Sequence, residues 1–134
     1  MNSKLNNELI EIIEKNGWVI LSTASEDKQP HSIIVQPSRI ENERIILSNI
    51  QMKTSIRNLE QNNKCSINIY SQENDDMQIK IHGNANILNS GVLYEEIKNY
   101  EETNNLPPEL KVNSIIIVNF ENIEVSKRIS SSKY

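Results

Sequence analysis

The sequence predicts an α+β protein, mainly β, in which six antiparallel strands close a small barrel and three short helices flank it. Three observations lead there. Apolar runs of strand length alternate with short polar turns rather than with helices, which argues against βαβ units. The three segments with helical spacing are each short. Strands reading IIV, IIL and III need cover on more than one side. A barrel removes the exposed sheet edges, and a dimer interface would supply the remaining cover.

Taken in order, residues 3–15 place Leu5, Leu9, Ile12 and Ile13 on one helical stripe, with Glu8, Glu11 and Glu14 elsewhere. Asn16-Gly17 ends that helix, glycine being common just past a helix terminus. WVILSTA at 18–24 is the first strand, and SEDKQP is turn chemistry. HSIIVQPSRI reads as the second strand, with Pro37 marking an edge or bulge, and RIILS at 44–48 as the third. These three form a meander. A short helix runs from about Thr54 to Gln61, followed by a fourth strand, KCSINIYS at 64–71.

MQIKIHGNANIL is a long fifth strand in which Ile79 and Ile81 face one way and Gln78, Lys80 and His82 the other. Gly83 inside it signals a bulge or a close backbone approach. Ser90 caps a third helix, which Pro107 and Pro108 terminate. The final strand, 111–127, is long enough to cross a barrel or reach a partner subunit.

A length of 134 residues suits one domain, 1–134, with a single modest core. The formal charge of −4, with both signs interspersed, argues against a nucleic-acid footprint. Cys65 is the one cysteine, so there is neither a disulfide framework nor a thiolate metal cluster; in the run CSINIY it reads as a small buried residue. His31 and His82 have no carboxylate at metal spacing. The glutamate-bearing N-terminus is not a signal peptide, and the longest apolar run, SIIIV at 114–118, is strand-sized. A cytoplasmic protein is the expectation, with no membrane and no nucleic acid as partner. Trp18 and Tyr70 are expected to cap the core, Tyr100 to lie on the surface, and ENDD to be a solvated turn.

The stretch with the most chemistry is SNIQMKTSIRNLEQN, 48–62. It sets Ser48, Asn49, Lys53, Thr54, Ser55 and Arg57 where a strand gives way to a helix, with no acid until Glu60. A helix start leaves several backbone N–H groups unpaired and carries roughly +0.5 of a charge. Thr54 or Ser55 can cap it, and Lys53 and Arg57 add positive charge within a turn. That combination suits a phosphate dianion; the plainer reading is a capped surface helix with two ordinary cations.

The order of elements resembles the FMN-binding split-barrel family typified by pyridoxamine 5′-phosphate oxidase, from about Leu9 to Val125. The resemblance rests on the strand Pro30 to Val35 with its PHSxxV pattern, on the junction SNIQMKTSIRNL, and on QIKIHG at 78–83, which is similar to the family's Q-V-R-V-x-G strand. It implies a split β-barrel homodimer holding FMN in a groove between two subunits. By position, the backbone of Ile33, Ile34 and Val35 borders the flavin ring, and Ser48 and Asn49 lie below it. Lys53 and Thr54 meet the phosphate, and Gln78 contacts the flavin from the fifth strand. A one-residue slip would instead turn Thr54 and Ser55 to the phosphate and Lys53 elsewhere.

Two departures qualify what the resemblance implies. His31 and Gln36 stand where the family places a phosphate-binding arginine and lysine. The chain ends in KRISSSKY, without the substrate-binding R-x-H tail, so vitamin B6 oxidation is not the expected activity. Lys80 has two readings, a cation beside the flavin pyrimidine or a solvent lysine. No residue is an evident acid, base or nucleophile, as befits a flavoprotein acting on a small molecule. It equally befits a non-catalytic flavin or haem module, or a cofactor-free dimer. Deazaflavin is a further alternative to FMN.

Overall fold

The computed structural model describes residues 2–127; the tail read in the sequence lies mostly outside them. Helix α1, Asn7–Asn16, begins later than the sequence predicts because the Asn6 side chain caps it, accepting from the Leu9 N–H at 2.8 Å. Gly17 closes it in the left-handed region, φ 85°, where a side chain would be strained. The remaining elements are β1 (Val19–Ala24), β2 (Pro30–Val35), β3 (Arg39–Ile40), β4 (Arg44–Asn49), α2 (Thr54–Gln61), β5 (Lys64–Ser71), β6 (Met77–Leu88), α3 (Val92–Asn104) and β7 (Ser114–Ser126).

All seven strands form one curled antiparallel sheet in the order β2-β1-β5-β6-β7-β4-β3. Among the described residues the strand count is therefore seven, not six. The difference arises at Pro37, which has no N–H to continue a ladder. β2 ends at Val35, and the next two strand residues cross to the far edge, where Ser38 N–H donates to Ile46 O at 2.9 Å and Arg39 pairs with Ile46. The expected three-strand meander reduces to the β1–β2 hairpin, since β4 pairs with β7. β2 and β3 remain at opposite ends of the sheet, so the barrel is split between them.

Inside the curl pack Leu21, Ile45, Leu47, Ile67, Ile79 and Ile81, closed by Ile13 of α1 and Leu59 of α2. A second, smaller core lies on the other side of β4 and β7, where Ile46, Ile115 and Ile117 meet Tyr94 and Ile97 of α3. The cover that the sequence assigned to a dimer interface is thus supplied to β4 and β7 within the chain. The α3 N-cap is Gly91 rather than Ser90, with no side-chain cap bond, and the helix stops at Asn104, before the prolines. β6 has the predicted bounds and alternation, and its ladder to β7 shifts register between His82 and Gly83, at the predicted bulge.

Candidate functional site

The split leaves a groove of about 590 Å³ between β2 and the connection from β4 to α2. One wall is His31, Ile33, Ile34, Val35 and Gln36; the other is Ser48 and residues 50–55. The volume falls in the usual range for small-molecule sites, roughly 300–1,000 Å³. Among the described residues, no carboxylate lines it. A groove of similar size at the opposite rim contains Glu41 and Glu43, but these are ion-paired with Arg44 and Lys4 and leave no net charge to offer.

The wall formed by the connection is shaped by buried polar contacts. Asn49 Oδ1 accepts from the Met52 N–H at 2.8 Å, and Asn49 Nδ2 donates to Ser114 Oγ at 2.9 Å. Asn58 Nδ2 donates to Thr23 Oγ1 at 3.0 Å and ties α2 to β1. Ser48 Oγ shares a hydrogen bond of 2.6 Å with Ser38 Oγ. α2 itself is uncapped. Its N-cap is Lys53, with no side-chain cap bond, so neither Thr54 nor Ser55 plays the capping role the sequence allowed.

The first-turn N–H groups of α2 accordingly lack intrahelical acceptors. Ser55 is buried, and its Oγ finds no hydrogen-bond partner among the described residues. A buried hydroxyl left unpaired costs about 1–3 kcal/mol, and such groups are rare. An uncapped helix start, an orphaned hydroxyl and the ammonium of Lys53 together form a donor set that suits an anion.

Of the residues the sequence singled out, Ile33, Ile34, Val35, Ser48, Lys53 and Thr54 all line the groove, as do His31 and Gln36. Asn49 sits behind the wall as a buried brace. Arg57 is exposed and does not line the groove. Gln78 does not reach it within the chain. It lies on the outer face of β6, paired with Tyr70 and Ser126. Sequence reasoning missed Ile50, Gln51 and Met52, whose types carry no signal until the loop folds over the groove.

Trp18 and Tyr70 do not cap the core; they are 37% and 48% exposed. Tyr100 is exposed as predicted. Cys65 is buried, its thiol pushed up to about 12, first by burial and then by the charge of Glu121. Among the described residues, no three His, Cys, Asp or Glu side chains converge as a metal site. Nor, among the described residues, is any helix long and apolar enough to cross a membrane.

A curled antiparallel sheet left open beside a donor-lined groove defines a split-barrel protein. The chain belongs to the pyridoxamine 5′-phosphate oxidase family, whose model matches residues 5–127. No curated protein matches it by sequence. Among solved structures it is similar to HupZ of Group A Streptococcus, at TM-score 0.77 and 21% identity over 96% of this chain and 97% of that one. An FMN-binding protein from Syntrophomonas wolfei superposes at TM-score 0.74 with 18% identity, covering 91% of this chain and 88% of that one. HutZ, the heme storage protein from Vibrio cholerae, superposes at 0.69 with 13% identity over 92% and 94% of the two chains. Likeness at these identities speaks for the fold.

Proposed function

We propose that this chain is a cytoplasmic, homodimeric FMN-binding protein that transfers electrons to or from a small molecule other than a B6 vitamer. One observation carries the reading: the orphaned Ser55 hydroxyl at an uncapped helix start, in a groove that no carboxylate of the described residues lines. When bound, FMN supplies one- and two-electron redox chemistry. The chain's own residues bind and orient it. Lys53, Thr54 and Ser55 with the α2 N–H groups hold the phosphate, and the β2 backbone at Ile33, Ile34 and Val35 borders the ring. Ser48 lines the floor, and Asn49 fixes it from behind.

Gln78 enters this site from the second copy. Its place on the outer face of β6, away from its own groove, supports a two-chain site. So does Ile34, 71% exposed beside that face. Both are what a second subunit would cover.

The test is a visible absorption spectrum of the purified protein before and after adding FMN and desalting. Flavin bands that stay with the protein, and weaken in a Lys53→Ala, Thr54→Ala double variant, support the assignment. A double variant that keeps full affinity removes the phosphate site. His31, an imidazole in the groove wall, favours a second reading, a non-catalytic haem-binding module in which His31 would hold the haem. A Soret band that grows on haem addition and is lost in His31→Ala, with no FMN retained, would decide for it.

A further inference from the structure

A second concave surface lies between the end of α1 and the turn joining β5 to β6. It encloses about 450 Å³ and is floored by Ile12, Trp18 and Tyr70. Trp18 immediately precedes β1 and Tyr70 stands on β5 opposite Gln78, and both line this surface. The two large aromatic side chains on this surface are 37% and 48% exposed.

Their environment is built. Tyr70 Oη donates to Asp76 Oδ1 at 2.5 Å, which fixes the ring's orientation. Asp76 belongs to a turn in which it and Asp75 both hold positive φ, 52° and 60°, a conformation that L-residues seldom adopt in succession. The side walls are neutral amides and a hydroxyl, from Asn16, Ser71, Gln72 and Asn74. An adjoining hollow of about 310 Å³ shares Ile12, Lys15, Glu73 and Asn74 and adds Glu8 and Glu11. Across the combined surface, among the described residues, three carboxylates, Glu8, Glu11 and Glu73, outnumber the ammonium of Lys15, which Glu73 already engages at 3.4 Å.

Fixed aromatic faces with a surplus of negative charge attract flat cations. The negative faces of the two rings stack on them, tryptophan most strongly, and the carboxylates add long-range attraction. We infer that the Trp18–Tyr70 cleft is a second ligand site, for a planar aromatic cation of the N-alkylpyridinium type. Its lining shares no residue with the FMN groove and its charge preference is opposite, but Tyr70 is the cross-strand neighbour of Gln78, so this inference rests on a two-chain site that leaves the α1 end of that face open.

Trp18 is the only tryptophan, so its fluorescence reports the cleft directly. The experiment titrates the intact, flavin-free protein with 1-methylnicotinamide, neutral nicotinamide and anionic nicotinate, reading emission intensity and lifetime. The cation should quench saturably with unchanged lifetime, bind more tightly than either isostere, and weaken about tenfold in Tyr70→Ala. Glu73→Gln should weaken the cation alone. Because Tyr70 is half exposed, its removal leaves the core intact, which circular dichroism checks. Quenching that is linear, tracks the lifetime and is identical in Tyr70→Ala is collisional and overturns the site. Equal affinity for nicotinate overturns the charge preference.

Discussion

The carboxamide oxygen of Asn49 accepts the Met52 N–H at 2.8 Å, across the turn that carries the chain from β4 into α2. Its other end donates to Ser114 Oγ on β7, so one buried side chain clamps the groove's wall to the sheet. Asn49→Ala strands a backbone donor and a serine hydroxyl. The expected loss is about 1–3 kcal/mol, read from the urea midpoint. FMN binding should weaken with it, since the α2 N–H groups lose their fixed direction. A variant of unchanged midpoint would mean that the turn holds itself.

Ser55 gives a prediction of opposite signs. Its Oγ is buried without a partner, so Ser55→Ala removes a group whose desolvation is not repaid by a hydrogen bond. The flavin-free variant should be as stable as the parent or more so, with a midpoint shift up to about 1 kcal/mol in its favour. Its FMN affinity should fall about tenfold, the effect of roughly 1.4 kcal/mol. A stability loss without flavin would show that the hydroxyl serves the fold.

His31 and Gln36 both line the groove at positions where the family resemblance places cations. Restoring charge should therefore tighten the site. His31→Arg or Gln36→Lys adds one charge-assisted hydrogen bond to the phosphate, about 1.5–3 kcal/mol, or roughly ten- to a hundredfold in affinity. Riboflavin, lacking the phosphate, is the control and should gain nothing. An equal gain for riboflavin would put the new cation on the ring instead.

Cys65 is on β5 opposite Gly83, and its Sγ donates to Gly83 O at 3.8 Å. With the thiol pushed up to about 12, the thiolate is scarce at pH 8, and a disulfide reagent should label the folded protein far more slowly than the denatured one. The sign for stability follows from the same shift. The unfolded thiol ionises more readily, so this contribution is intact below its ordinary range near 9 and is lost as pH rises toward about 12. Cys65→Ser should flatten that alkaline limb.

Much of this was legible because the signals were local. The β6 bounds, its alternation and its bulge follow from a run of Ile at every second position broken by Gly83. The α2 bounds follow from the spacing of Ile56 and Leu59. The strand count failed where the signal was long-range. Residues 38–40 look like a continuation of β2, and only pairing with β4 shows that they belong to the opposite edge. Trp18 and Tyr70 failed for a related reason, since hydrophobicity assigns them to a core, whereas Tyr70 pairs with Gln78 on the outer face and Trp18, just before β1, is left partly exposed. At the site, residue types marked the groove's donors, but Ser55's lack of a partner is a property of the packed molecule.

Gly83 has no room for a side chain. A Cβ there would sit 2.5 Å from the Asn119 carbonyl oxygen and 2.9 Å from Val118 Cγ1, both on the β7 side of the bulge. The carbonyl is backbone, so it yields only if the β6–β7 ladder moves. That ladder joins the half of the sheet bearing β1, β2 and β5 to the half bearing β4, and the two walls of the groove belong to different halves. Gly83→Ala should therefore cost about 1–3 kcal/mol through overpacking and widen or skew the groove as well. Flavin affinity should fall by more than in a variant equally destabilised elsewhere, such as Ile97→Val in the second core beneath α3. If both variants lose affinity in equal measure at equal stability, the bulge sets the fold's strength but not the spacing of the walls.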